Sequence, residues 1–130
     1  MKILVKRKVT DEEIFNLIQR RLPPRYHIKL EDLQSAYMEY EEEGETILTV
    51  SEEYDLETVR RLLTPRMTEL LEIIKKERYS ISELAKKLNR SPSNVYNDVK
   101  FLVNNKFALL LSKGRAKIPI LLIESIEIKI

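Results

Sequence analysis

The sequence predicts an α+β protein in two lobes, a small acidic N-terminal one and a basic C-terminal one. Two observations carry that expectation. Residues 1–63 hold 10 Lys/Arg against 14 Asp/Glu, whereas residues 64–130 hold 13 against 7. The first half alternates strands and helices, while the second orders three helices and then a β-hairpin with cations at its tip.

A chain of 130 residues, 43% hydrophobic and 34% charged, suits one domain or two small lobes with a modest core. No apolar run is long enough to cross a bilayer, and residues 1–10 are too charged for a signal peptide. Cysteine is absent, so disulfides, thiolate metal sites and a cysteine nucleophile are excluded, and a reducing cytoplasm is the expected compartment. Any His-based relay or zinc site would hang on His27 alone. With only Gly44 and Gly114, no glycine-rich phosphate loop can form. Carboxylates are plentiful but lie on helix faces without an orienting group, and no metal-ligand spacing appears. The expectation is a protein without catalytic residues, metal or cofactor. Lys, Glu and Ile are abundant and Gln scarce, a balance common in heat-adapted proteins.

Residues 1–9 read as a strand, with Ile3, Leu4 and Val5 followed by the basic run Lys6-Arg7-Lys8. That run reads either as a solvated strand end or as an arm for a minor groove. Thr10 and Glu13 make a capping box for a helix with Ile14, Phe15, Ile18 and Leu22 on one face, stopped at Pro23-Pro24. Residues 31–43 read as a second helix with Leu33, Ala36, Tyr37 and Tyr40 on one face and Gly44 as its stop. Its Glu39, Glu41, Glu42 and Glu43 read as a solvated face rather than a cation site, and its tyrosines as packing groups. His27 reads as a loop or packing histidine. Residues 45–50 alternate as a strand, and residues 55–63 form a short helix with Leu56, Val59, Leu62 and Leu63 apolar.

Thr64-Pro65 marks the expected boundary, a cap followed by proline at the first helical position. The next helix, 65–77, turns Met67, Leu70, Leu71 and Ile74 inward. Ser80 and Glu83 form a second capping box for a helix ending at Leu88, and Ser91-Pro92 starts a third that runs to Asn105. Apolar strands at 107–111 and 118–123 flank a loop, Ser112 to Lys117, and a last strand places Ile126, Ile128 and Ile130 opposite Glu127 and Lys129.

This is the order of a winged helix-turn-helix. Ala85 is small where two helices must cross closely, and Asn89 tolerates the left-handed turn between them. Leu84, Leu88, Val95, Val99 and Leu102 have the spacing to pack the pair. The third helix then presents Ser93, Asn94, Tyr96, Asn97 and Lys100 outward, where they can bond base edges or phosphates in a major groove. Lys113, Arg115 and Lys117 surround Gly114 as a cationic wing, and Lys86, Lys87 and Arg90 are candidate phosphate contacts. The same cations would also serve as ordinary solvated surface charge.

The stretch from Leu62 to Ile130 resembles winged-helix transcriptional regulators of the MarR-like group, in particular small archaeal DNA-binding proteins. The likeness lies in Leu63-Thr64-Pro65-Arg66-Met67-Thr68-Glu69-Leu70-Leu71, in Ser82-Glu83-Leu84-Ala85-Lys86-Lys87-Leu88 and in Asn94-Val95-Tyr96-Asn97-Asp98-Val99-Lys100. The Gly114-Arg115 wing and the final Ile126-Glu127-Ile128-Lys129-Ile130 strand complete it. The resemblance implies sequence-specific binding of double-stranded DNA by a homodimer, with the third helix as reader. The chain departs from the group at Asn97, where a cation is common, and at Asp98, an acid that would accept from cytosine N4 or repel phosphate. The lobe formed by residues 1–63 is expected to dimerise or dock a protein partner. An alternative reading makes the winged helix a protein-interaction module, such as an antitoxin or a transcription-machinery adaptor, with weak DNA binding.

Overall fold

A computed structural model describes residues 1–18, 26–27 and 48–130. The helix expected at 31–43, its acidic cluster and tyrosines, the Pro23-Pro24 stop and Gly44 lie outside the described residues. Contacts divide the chain into two compact units, Met1–Asp55 with Ile123–Ile130, and Leu56–Leu122. The last strand, grouped from sequence with the basic half, thus belongs to the first unit, because its partner is the first strand.

In the first unit, β1 (Lys2–Lys8) leads to α1 (Asp11–Ile18), then to β2 (Tyr26–His27) and β3 (Thr49–Glu53). β1 is flanked by β3 and by the last strand, β6 (Ile123–Lys129), in an antiparallel sheet of order β2-β3-β1-β6. A register shift between Lys6 and Arg7 lets β6 bulge. Thr10 caps α1: its Oγ accepts from the Glu13 N–H at 3.2 Å, and its own N–H donates to Glu13 Oε1 at 2.9 Å. Ile14 is buried beneath this cap while Phe15, expected on the same face, is 53% exposed.

Alternation along β1 puts Arg7 on the face of Ile3 and Val5, and Arg7 is fully buried. The basic run is therefore split: Lys6 and Lys8 are exposed, and Arg7 is neither a solvated strand end nor an arm. Its guanidinium donates to both oxygens of Glu13 at 2.7 Å and, through Nε and Nη2, to Glu52 Oε2 at 3.1 and 2.7 Å. The Tyr54 hydroxyl donates to the same Glu52 oxygen at 2.9 Å. Burial works against the Arg7 cation, but hydrogen bonds and charge from Glu13 and Glu52 outweigh it and raise its pKa. Burial, then the Glu52 charge, pushes the Tyr54 phenol up as well.

The second unit begins with α2 (Leu56–Leu62), which buries Val59 and Leu62 and leaves Leu56 exposed, as is Leu63 just after it. Then come α3 (Pro65–Lys76), α4 (Ile81–Leu88) and α5 (Pro92–Asn104). A separate two-stranded sheet, β4 (Ala108–Lys113) and β5 (Ala116–Leu121), follows. Thr64 caps α3 through Oγ, accepting from the Met67 N–H, with Pro65 at the first helical position. Met67, Leu70, Leu84, Val95, Val99, Leu102 and Phe107 form the buried core. The whole is mixed α and β with two small antiparallel sheets among the described residues.

The Arg7 cluster yields a stability prediction. Arg7→Met takes the Arg7 guanidinium away from the buried Glu13 and Glu52 and is expected to destabilise the protein by about 3–5 kcal/mol in urea unfolding. Arg7→Lys is expected to recover only part of this, since an ammonium cannot fork to two carboxylates. A loss within error of zero for Arg7→Met would show that the cluster does not hold the unit together.

Candidate nucleic-acid interface

The site is built from α4, the turn after it, α5 and the β4–β5 hairpin, all within the second unit. Ser80 starts α4 by accepting the Glu83 N–H at 3.2 Å while its own N–H donates to Glu83 Oε1 at 3.1 Å. The Ser80 backbone N–H, and after it the Ser80 hydroxyl, hold the Glu83 carboxyl below the usual carboxylate range. Asn89 ends α4 in the left-handed region, φ 52°, ψ 49°, and the following Arg90 N–H donates back to Ala85 O at 2.9 Å. Ser91 then caps α5 by accepting the Asn94 N–H at 3.2 Å. Two helices thus meet through a three-residue turn, with the small Ala85 buried between them.

Along α5, Val95, Asp98, Val99 and Leu102 are buried at i, i+3, i+4 and i+7. Ser93, Asn94, Tyr96, Asn97 and Lys100 are exposed, as expected from the sequence. Asp98 is not on that outer face. It is 2% exposed and accepts Arg90 Nη2 at 2.6 Å on one oxygen and Arg66 Nη2 at 3.1 Å on the other. The acid therefore neither meets cytosine nor repels phosphate; it fastens α5 to the turn and to α3.

Arg90 also donates to the Asn94 carbonyl at 3.3 Å, and its side chain is largely covered. Its charge is engaged inside the unit, unlike that of the exposed Lys86 and Lys87. Lys87 Nζ rests 4.7 Å from the centre of the Tyr79 ring. Arg66, exposed beyond its bond to Asp98, is the member of this group with no signal in the local sequence. It lies 32 residues from Asp98, and no local spacing joins the two. An open hollow of about 750 Å³ lies against the turn, with Ser82, Lys86, Asn89, Arg90 and Ser91 in its wall.

The hairpin tip is tighter than the loop expected from Ser112 to Lys117. β4 runs to Lys113 and β5 starts at Ala116, so the tip is the pair Gly114-Arg115, with Gly114 at φ +62°. That positive φ is what a two-residue hairpin asks of glycine. Lys113 faces Ala116 and Lys117 faces Ser112, so alternation sends the two lysines to opposite faces of the ribbon. Lys117 Nζ donates to Ser112 Oγ at 2.9 Å. Lys113, Arg115 and Lys117 are all exposed.

Counted by unit, the charge split widens: residues 56–122 carry 14 Lys/Arg against 6 Asp/Glu, a net of +8. Among the described residues no group of three His, Cys, Asp or Glu could hold a metal ion, and no helix is long and apolar enough to cross a membrane. His27 sits in the two-residue strand β2.

Residues 62–128 match the family model described as HVO_A0114, and the chain belongs to that family. The match covers just over half of the chain, from the end of α2 through most of β6. The chain matches no curated protein and no solved structure.

Two substitutions test that geometry by thermal and urea unfolding. Asn89→Gly is expected to leave stability unchanged or slightly higher, whereas Asn89→Ala costs about 1 kcal/mol for the left-handed backbone. Asp98→Ala is expected to cost about 3 kcal/mol, because it strands the covered Arg90 cation. A neutral Asp98→Ala would mean that the carboxylate fastens nothing.

Proposed function

We propose that the Leu56–Leu122 unit is a winged helix-turn-helix that binds double-stranded DNA, and that the protein is a sequence-specific transcriptional regulator of the MarR-like kind. The outer face of α5 carries the reading. Ser93, Asn94, Asn97 and Lys100 stand exposed there with Tyr96, and the helix's one acid is turned inward. A polar face with a single positive charge suits a helix lying in a major groove, where amide side chains bond base edges.

The hairpin supports the same reading. A narrow ribbon with Arg115 at its tip and a lysine on each face would meet phosphates on both walls of a minor groove. Lys86 and Lys87 are the proposed phosphate contacts beside the turn. Arg90, the third cation beside the turn, holds Asn94 and Asp98 in place instead of meeting phosphate itself. The protein acts as a cytoplasmic homodimer, placing two α5 helices on half-sites about one helical turn apart. It uses no metal or cofactor and catalyses no reaction.

Selection of bound fragments from random genomic duplexes, with affinity measured against salt, tests this reading. A near-palindromic motif is expected, with log affinity falling linearly with log salt. Asn94→Ala and Asn97→Ala are expected to relax base choice at one or two positions, each costing about 1–3 kcal/mol on the preferred site. Arg115→Ala is expected to weaken all sequences alike and to reduce the salt slope by about 1 per protomer. If no duplex binds at low salt, the unit is instead a protein-docking module.

A further inference from the structure

We propose that two copies of this chain pair through β6, antiparallel about a two-fold axis at Ile128, joining their four-stranded sheets edge to edge. This names the interface of the homodimer proposed above, and it does not depend on DNA.

β6 ends the sheet order, and among the described residues nothing pairs with its outer edge. An unpaired edge is a template for another strand unless charge, proline or a bulge blunts it. Here the bulge lies at the Lys6/Arg7 level, opposite the start of β6, leaving residues 125–129 in regular register with β1. The Tyr54 N–H donates to Ile3 O, and the Val9 N–H donates to Leu48 O. The odd residues of β1 therefore turn their backbone groups towards β3, and Lys2, Leu4 and Lys6 turn theirs towards β6. Their partners on β6 are Lys129, Glu127 and Ser125. It follows that the backbone N–H and C=O of Ile126 and Ile128 point away from β1, towards the open edge.

The side chains fit a second copy of the same strand. Ile126-Glu127-Ile128-Lys129-Ile130 reads as its own antiparallel complement. With Ile128 opposite Ile128 of the second copy, Ile126 falls opposite Ile130, and Glu127 falls opposite Lys129 twice. The outward-facing isoleucines become the hydrogen-bonded pairs, and the Glu–Lys pairs take the closer non-hydrogen-bonded positions. Shifting the axis to Glu127 would oppose two carboxylates, and shifting it to Ile126 would set Glu127 against Ser125. Charge thus selects one register. The apolar face gains continuity, since Ile128 sits beside the buried Ile3 yet is half exposed, and Ile130 is fully exposed.

Sedimentation equilibrium of the full chain without DNA tests the pairing. The wild type is expected to be a concentration-dependent dimer. Glu127→Lys and Lys129→Glu are each expected to raise the dimer dissociation constant on the order of tenfold, by opposing like charges at both symmetry-related positions. The double exchange restores Glu opposite Lys and is expected to return the constant to near the wild-type value. Lys129→Glu also sets a carboxylate opposite Lys2 within the protomer, so its loss of dimer does not come from a weakened sheet. A monomeric wild type, single variants that dimerise as well as it does, or a double variant that fails to recover would each overturn the proposal. Failure of DNA binding alone would leave these masses unchanged.

Discussion

A carboxylate set between valines and a leucine on one helix must be met by cations, and the helical unit is arranged around that requirement. Asp98 occupies the buried stripe of α5 and draws Arg90 from the turn and Arg66 from α3. Buried ion pairs of this kind add little net stability compared with apolar packing, because desolvation offsets the attraction. Their geometry is directional, however. Two guanidinium groups on two carboxylate oxygens fix how α5 is rotated about its axis, and with it which side chains face out. The same contact removes the acid from the outer face of α5, leaving amides, hydroxyls, Tyr96 and Lys100 there.

The first unit meets the mirror-image requirement. Arg7 stands on the buried face of the central strand β1, and two carboxylates reach it, one from the capped start of α1 and one from β3. Glu13 serves both the cap and the ion pair, so the start of α1 and the strand before it are tied by one side chain. In both units a charge on an apolar face is matched by groups distant in sequence, which gives each unit a specific arrangement rather than merely a collapsed core.

The local devices were legible in the sequence. Both capping boxes, the Thr64-Pro65 and Ser91-Pro92 helix starts, the Asn89 turn and the exposed face of α5 follow from residue type and spacing over a few positions. Distant partnerships were not. Arg7 alternates with Ile3 and Val5, and Asp98 falls at helical spacing with Val95 and Leu102, so the pattern held the signal. Charge nevertheless argues for the surface until the partners are known, and those come from 6 to 45 residues away. The pairing of β6 with β1 joins the two ends of the chain, and no local rule predicts it. The hairpin tip reads too long from sequence because Ser112, Lys113, Ala116 and Lys117 are poor strand formers, whereas the ladder extends to the Gly114-Arg115 pair.

The most direct test of the account is an NMR titration of the labelled full chain with a duplex recovered by selection. Amide shifts are expected to concentrate in residues 91–100 and 112–117, with smaller changes at Lys86 and Lys87. Shifts confined to residues 1–55, or none at saturating duplex and low salt, would contradict the assignment of α5 and the hairpin as the DNA-binding surface.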